Sequence, residues 1–520
     1  MSQQRRLVGI DLGITSEHTV RVLRGDGTGV CRRRCRPTRE SLEEIEQAAL
    51  AGAEEGMRLE VVMEPTGPAW LPVAVFFESR GHIVYRVSSA KAADLRRFLS
   101  RHAKSNSIDA ETLARLPLID LKGLQPLLLP DQKRAALYRH VRTCGRLTGQ
   151  ITERKLRLKA LVRQLLPVSP LSGDLGKADL AVLERTGAEP GDLIKIGKGR
   201  LSKFIARASR GQLGAERAEV WLESARLSLE LYGQHPAAAY AERAAEVRTE
   251  VRLLWAIEGE LAEYQSQREK TYRQVDPEGL MRSVSGLAEV GAPVVVGYMG
   301  APHRFARGPR FRSYTGLAAK ASETGESQRK GQPISKAGPS QLRTTLFLAA
   351  DSARQQDPQL ARIYYVQMME RGATHTKALC VVAAHLAERA LAVMKRGTPY
   401  QLRDTDGRPV SQAQAKAIIA SKWTVPEEVR SQRRSRKQGR KAPQPVLSGQ
   451  AKAGAHDATA RRPSLQPMVT PQLTPIKDLL APQRRGRMLP LDKPRVLRRS
   501  RLTPTGALNL AFPGPSPVGC

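Results

Sequence analysis

The chain has 520 residues, with 85 Lys and Arg against 50 Asp and Glu, a formal net charge of +35. A surplus of that size sets it apart from ordinary metabolic enzymes and draws polyanions, because each phosphate neutralised by a basic side chain releases a condensed counterion. A ribosomal or membrane-surface protein would show the same balance, but no run of about 18 apolar residues offers a membrane span.

The opening MSQQRRLVGIDLG lacks the long apolar core of a signal peptide and reads instead as a first strand, LVGIDLG. HTVRVL gives a second strand, and RGDGTG supplies the turn into a third, VCRRRC. RESLEEIEQAALAG has helical spacing with a glycine stop, RLEVVME is a fourth strand, and GHIVYRV, after an intervening helix, is a fifth. Three strands in antiparallel order followed by alternating helix and strand give a mixed α/β sheet of RNase H-like order. The five cysteines (Cys31, Cys35, Cys144, Cys380 and Cys520) show no paired CxxC units, so they read as reduced structural thiols.

From about 130 to 165, Leu and Val recur at three- and four-residue steps among Arg and Lys, predicting one long amphipathic helix. Residues 170–230 read as mixed and mainly helical, without a definite order of elements. A second long helix follows over 236–272. The two long helices suggest a hairpin arm, either paired with a second subunit as a coiled coil or folded on itself as a bundle. Within 280–400, SVSGLAEVGAPVVVGYMG has the helix–glycine turn–helix character of a helix-hairpin-helix, which offers backbone amides to phosphates. A Gly/Ser/Lys loop then runs into a helix. Beyond 425 the chain turns Pro-, Arg- and Ser-rich, with roughly 20 basic residues against 5 acidic, and is expected to be disordered and able to bind nucleic acid nonspecifically.

Three acids stand at the ends of separate elements: Asp11 after the first strand, Glu64 after the fourth, and Asp109 at the start of a helix in KSNSIDAETLARL. Each alone reads equally as a turn, cap or first-turn residue. Together they converge on one pole of such a sheet, where hard divalent cations relieve their mutual repulsion. Two such ions about 4 Å apart would activate a nucleophile and stabilise a leaving oxygen in phosphodiester chemistry. Asn106 lies three residues before Asp109, on the same helix face. Lys104 beside them is a candidate phosphate contact.

The runs VGIDLGIT, MEPTG and KSNSIDAETLARL resemble the N-terminal domain of the DEDD insertion-sequence transposases, the bridge-RNA-guided recombinases with a Holliday-junction-resolvase-like (RuvC-like) domain. SVSGLAEVGAP and YTGLAAKASETGESQRKGQPISKAGPSQLRTTLFLAA look like that family's C-terminal transposase domain. The resemblance implies an RNase H-like domain over 5–125, a helical coiled-coil arm over 126–275, a mainly α C-terminal domain over 276–400 and a basic tail over 425–520. It places the family's acidic set on Asp11, Glu64, Asn106 and Asp109, holding Mg²⁺ or Mn²⁺. The third position is an amide where the family has an acid, so the site has one negative charge fewer. The family's serine nucleophile falls on Thr324, in the step Thr324-Gly325, with Ser322 and Ser327 close by. A threonine hydroxyl can attack when a base activates it. Gly286, Gly291, Lys330, Lys336 and Arg343 are the expected nucleic-acid contacts of the C-terminal part.

The function implied is that of a transposase and DNA recombinase acting on the element's ends and a target, with a structured guide RNA. The protein would work as a homodimer or homotetramer in the cytoplasm, associated with the nucleoid. In the family the two domains form a composite site, the acids and metal positioning the phosphate that the hydroxyl attacks. Two alternatives stay open: a catalytically impaired relative that only binds nucleic acid, favoured by Asn106 and Thr324, and a structure-selective DNA nuclease. A sugar-kinase or actin-like ATPase would need a second DxG turn and a Gly-Gly adenosine motif, which are missing in suitable context.

Overall fold

The computed structural model describes residues 5–99, 105–171, 173–233, 235–320, 323–324, 327–328 and 332–433. Its first part is built around the strands β1 (Arg6–Asp11), β2 (His18–Arg24), β3 (Gly29–Cys35), β4 (Leu59–Met63) and β5 (Ile83–Arg86), in sheet order β3-β2-β1-β4-β5. The three leading strands pair antiparallel, whereas β4 runs parallel to both β1 and β5. Helices α1 (Arg39–Leu50) and α2 (Trp70–Ser79) cover one face; α3 (Ser89–Leu99) and α4 (Asn106–Ile119) lie on the other. Alternation along the strands explains this division. Val8, Ile10, Val20, Val22, Val61 and Met63 pack with Leu42, Ile45 and Phe77 on the first face. Leu7 and Val62 point the opposite way, toward Ala114 and Leu113 of α4.

α5 (Gln132–Leu165) and α9 (Tyr240–Val275) are the two long helices, and they pack antiparallel within one chain. Arg157 meets Glu246 at 2.8 Å and Arg154 meets Glu250 at 2.6 Å, while His140 near the start of α5 reaches Thr271 near the end of α9 at 3.2 Å. The arm is therefore closed intramolecularly. At its far end α6 (Lys177–Thr186), α7 (Pro190–Ala208) and α8 (Ala215–Tyr232) gather around the buried Trp221 to form a separate core. At its near end Leu137, Val141 and Tyr272 belong to the core of the C-terminal part.

That core is formed by α10 (Gly291–Met299), α11 (Gly308–Thr315), α12 (Ser340–Ala353), α13 (Pro358–Tyr365) and α14 (His375–Arg396). Between α11 and α12 lies a short hairpin, β6 (Glu323–Thr324) with β7 (Ser327–Gln328). The fully buried Asp357 carboxylate accepts from Arg389 at 2.9 Å and from the Tyr400 hydroxyl, and caps α13 through the Gln359 and Leu360 amides. Burial beside that carboxylate raises the Tyr400 pKa, so its hydroxyl stays a donor.

Two expectations change here. The helix expected before the glycine turn of SVSGLAEVGAP is only a 3-10 turn, Leu280–Ser283, so this segment is no helix-hairpin-helix. The Asp276 carboxylate takes the Leu280 and Met281 amides at 2.9 Å and turns the chain out of α9 before another helix can start. The tail, expected to be disordered from 425, begins later. α15 (Gln412–Lys422) and α16 (Glu427–Gln432) are formed, Val425 packs on the C-terminal core, and the Arg433 carbonyl accepts from the His375 amide at 2.9 Å. Residues 434–520 lie outside the described residues.

Burial lowers the pKa of His18, His140 and His385 below the ordinary imidazole value. The unfolded chain therefore takes up protons at a pH where the folded chain does not. Stability from these groups is complete above about pH 6.5 and is lost as pH falls below it. Melting temperature should decline between about pH 7 and pH 5.5, before carboxylates titrate; a flat profile there would contradict this origin.

Candidate active site

Asp11 is the last residue of β1, and Glu64 directly follows β4. Because Ile10 pairs with Met63 in the parallel ladder, the next step of the register sets Asp11 beside Glu64. Neighbouring strands are about 4.8 Å apart. Asp11 continues the side of β1 shown by Leu7 and Gly9, and Glu64 continues the side shown by Val62, so both belong to the α4 face at the carboxyl end of the sheet. Both are half-buried.

Gly9 brings the third group in. A Cβ on Gly9 would lie 2.0 Å from the Ala110 carbonyl oxygen and 2.4 Å from the Ala114 amide, so α4 rests directly on β1. Ala114 packs by Leu7 and Ala110 by Gly9, which means that α4 runs against β1 and sends its first turn toward Asp11. Ser105 caps that turn by accepting from the Ile108 amide at 3.3 Å, and Asn106 and Asp109 are both in it. The partial positive charge of a helix N-terminus adds to the attraction for anions here. A glycine inside a buried strand was the readable signal for this close approach.

The arrangement is nonetheless not a closed metal cage: among the described residues no three of His, Cys, Asp and Glu are gathered tightly enough to hold an ion. Asp109 is ion-paired at 2.9 Å with Arg96 of α3, a partner that sequence reasoning missed, and Asn106 is exposed. The donor set itself, carboxylates with one amide oxygen, suits a hard divalent cation. Asp109 has to exchange Arg96 for the ion to join it.

The remaining expected residues fall elsewhere. Thr324 ends β6 and pairs with Ser327 of β7, in a hairpin separate from the sheet that carries the acids. Ser322, Gly325, Lys104 and Lys330 lie outside the described residues. Lys336 is exposed with a left-handed backbone, φ 57°, close to the hairpin. Arg343 on α12 donates to the Lys336 and Gly338 carbonyls at 3.2 and 3.1 Å, clamping the loop that leaves the hairpin. Gly286 and Gly291 both face α12: a Cβ on Gly286 would sit 2.4 Å from the Ala349 carbonyl, and one on Gly291 3.6 Å from Thr345. Helix packing thus gives each glycine a reason independent of phosphate. Cys35 is buried, and its thiol is pushed up to about 11 by desolvation, in keeping with an unreactive structural thiol.

Comparison with known families agrees with the division of the chain. A DEDD-type IS110 model described as "Transposase" matches residues 8–167, from β1 to just past α5. A second, described as "Transposase IS116/IS110/IS902 family", matches residues 278–365, through the hairpin to α13. Helices α6–α9 fall between the two matches. The chain is also 26% identical over 368 residues, 68% of its length, to the "Insertion element IS110 uncharacterized 43.6 kDa protein" of Streptomyces coelicolor, covering 85% of that protein. With both matches in order on one polypeptide, the chain belongs to the IS110-type family of DEDD transposases of insertion elements.

Proposed function

We propose that the chain cuts and rejoins DNA at the ends of its insertion element, using the carboxyl end of the five-stranded sheet as a divalent-cation site. The observation that carries this reading is the in-register placement of Asp11 and Glu64 on the face crossed by the first turn of α4. The strand order, three antiparallel then two parallel, fits an RNase H-like, RuvC-like domain. Asp11, Glu64, Asp109 and the Asn106 amide oxygen would hold Mg²⁺ or Mn²⁺. Such an ion, when bound, neutralises charge on a phosphodiester and on its leaving oxygen.

The chain's own residues do the rest. Arg96, exchanged away from Asp109, is free to pair with a backbone phosphate, for which its planar fork is suited. The Thr324 hydroxyl, at the turn of β6 and β7, attacks phosphorus, and the Arg343 clamp fixes the loop behind it. Lys336, with Lys104, Lys330 and the basic tail, binds the DNA backbone and a structured guide RNA. Exposed Leu156, Leu253 and Trp255 on the arm helices offer apolar surface to further copies in a dimer or tetramer.

A suicide DNA substrate with element ends tests the nucleophile. Full-length protein should form a covalent protein–DNA adduct that Thr324→Ala eliminates and Thr324→Ser retains or increases. An adduct that survives in Thr324→Ala but vanishes in Ser322→Ala would move the nucleophile two residues upstream. Recombination with no adduct at all would make water or a DNA hydroxyl the attacking group. One observation favours a second reading, an impaired relative that binds without cutting: Asn106 and the Arg96–Asp109 pair leave the acids short of a complete cage.

A further inference from the structure

On the other face of the sheet, the turn between β1 and β2 borders a cleft of about 690 Å³ that the catalytic reading does not use. Its wall is apolar, formed by Ile14, Pro37, Pro68 and Pro72, with Arg36 at the rim and His18 among its lining residues. Ile14 is 63% exposed, a large apolar side chain left in solvent. His18 is only 1% exposed. Its Nδ1 accepts from the Gly13 amide at 3.1 Å, which puts the ring proton on Nε2, and Nε2 has no partner of its own. A buried donor left unsatisfied is costly, and its natural complement is a neutral acceptor brought in by a ligand. Because desolvation keeps the ring uncharged, that acceptor matches a carbonyl or ring nitrogen better than an anion. Arg36, exposed and only loosely held by Glu17 at 3.6 Å, can meet a phosphate outside.

We propose that this cleft receives an unpaired nucleobase of a single-stranded nucleic acid, stacked on its proline wall and accepting from His18 Nε2, with its phosphate at Arg36. This rests on the reading of the chain as acting on nucleic acid. Since the same turn leads out of Asp11, a nucleotide held here fixes the path of a strand past the acidic pole. A paired base cannot enter without leaving its stack, so the cleft selects separated strands.

The test uses full-length protein in metal-free buffer and short DNA and RNA single strands carrying 2-aminopurine, with a fully paired duplex as control. Saturating wild-type protein should change the fluorescence of a single-stranded probe and leave that of the duplex unchanged. His18→Asn keeps an acceptor for the Gly13 amide but cannot reach the ligand, and Thr15→Trp, on the exposed turn, fills the cleft. Both should lose the fluorescence change while binding, followed by anisotropy, persists. A larger change with DNA assigns the cleft to a displaced DNA strand; a larger change with RNA assigns it to a guide. An undiminished change in both variants, or an equal change with duplex, would overturn the proposal alone. Absence of any anisotropy change with wild-type protein would overturn the underlying nucleic-acid reading as well.

Discussion

Asp11→Asn and Glu64→Gln should each reduce metal-dependent DNA strand cleavage by on the order of a thousandfold, with the fold intact. Both changes keep the shape of the side chain and remove only its charge. The pole has three carboxylates, Asp11, Glu64 and Asp109, and an amide at Asn106, so it has little charge in reserve. Losing one carboxylate weakens attraction for a hard cation and leaves the Arg96–Asp109 pair with less reason to open. Asn106→Asp should act in the opposite direction, retaining cleavage at lower metal concentration. Circular dichroism and melting curves of the variants check that the sheet survives. Full cleavage activity in a well-folded Asp11→Asn protein would remove the pole from the chemistry.

Gly9→Ala should destabilise the protein by about 3 kcal/mol, a large effect for one methyl group. The added carbon meets backbone atoms of α4, the Ala110 carbonyl and the Ala114 amide, and neither can turn aside as a flexible side chain could. Relief requires the whole helix to lift from β1, which also carries Asp109 away from Asp11. Gly149→Ala supplies the contrast. It lies within α5, exposed, with no atom within 4 Å of the added carbon, and should stabilise by about 1 kcal/mol through helix propensity alone. Opposite signs in urea melts would show that close approach, rather than glycine replacement itself, sets the cost. Equal effects would contradict the packing of α4 on β1.

The strands of the sheet were readable because each is a short apolar run bounded by turn residues, and the order of antiparallel and parallel members followed from their spacing. The long helices were readable from periodicity, but whether they pair within the chain is decided by contacts such as Arg157–Glu246, which no local pattern reveals. The same limit hid Arg96, whose significance comes from packing α3 against α4. The glycines of SVSGLAEVGAP were misread as a phosphate-binding hairpin because a left-handed turn looks the same whether it faces a ligand or, as Gly286 does, the Ala349 carbonyl of α12. His18 is a lone histidine in a strand, and only the ring's hydrogen bond to Gly13 and the cleft beside it mark it.

Binding of Mn²⁺, followed by electron paramagnetic resonance of the full-length protein with element-end DNA, tests the acidic pole most directly. Saturable binding that Asp11→Asn and Glu64→Gln abolish and Asn106→Asp tightens is the predicted result. Binding of equal strength in the wild type and in both amide variants would contradict a metal site at the carboxyl end of this sheet.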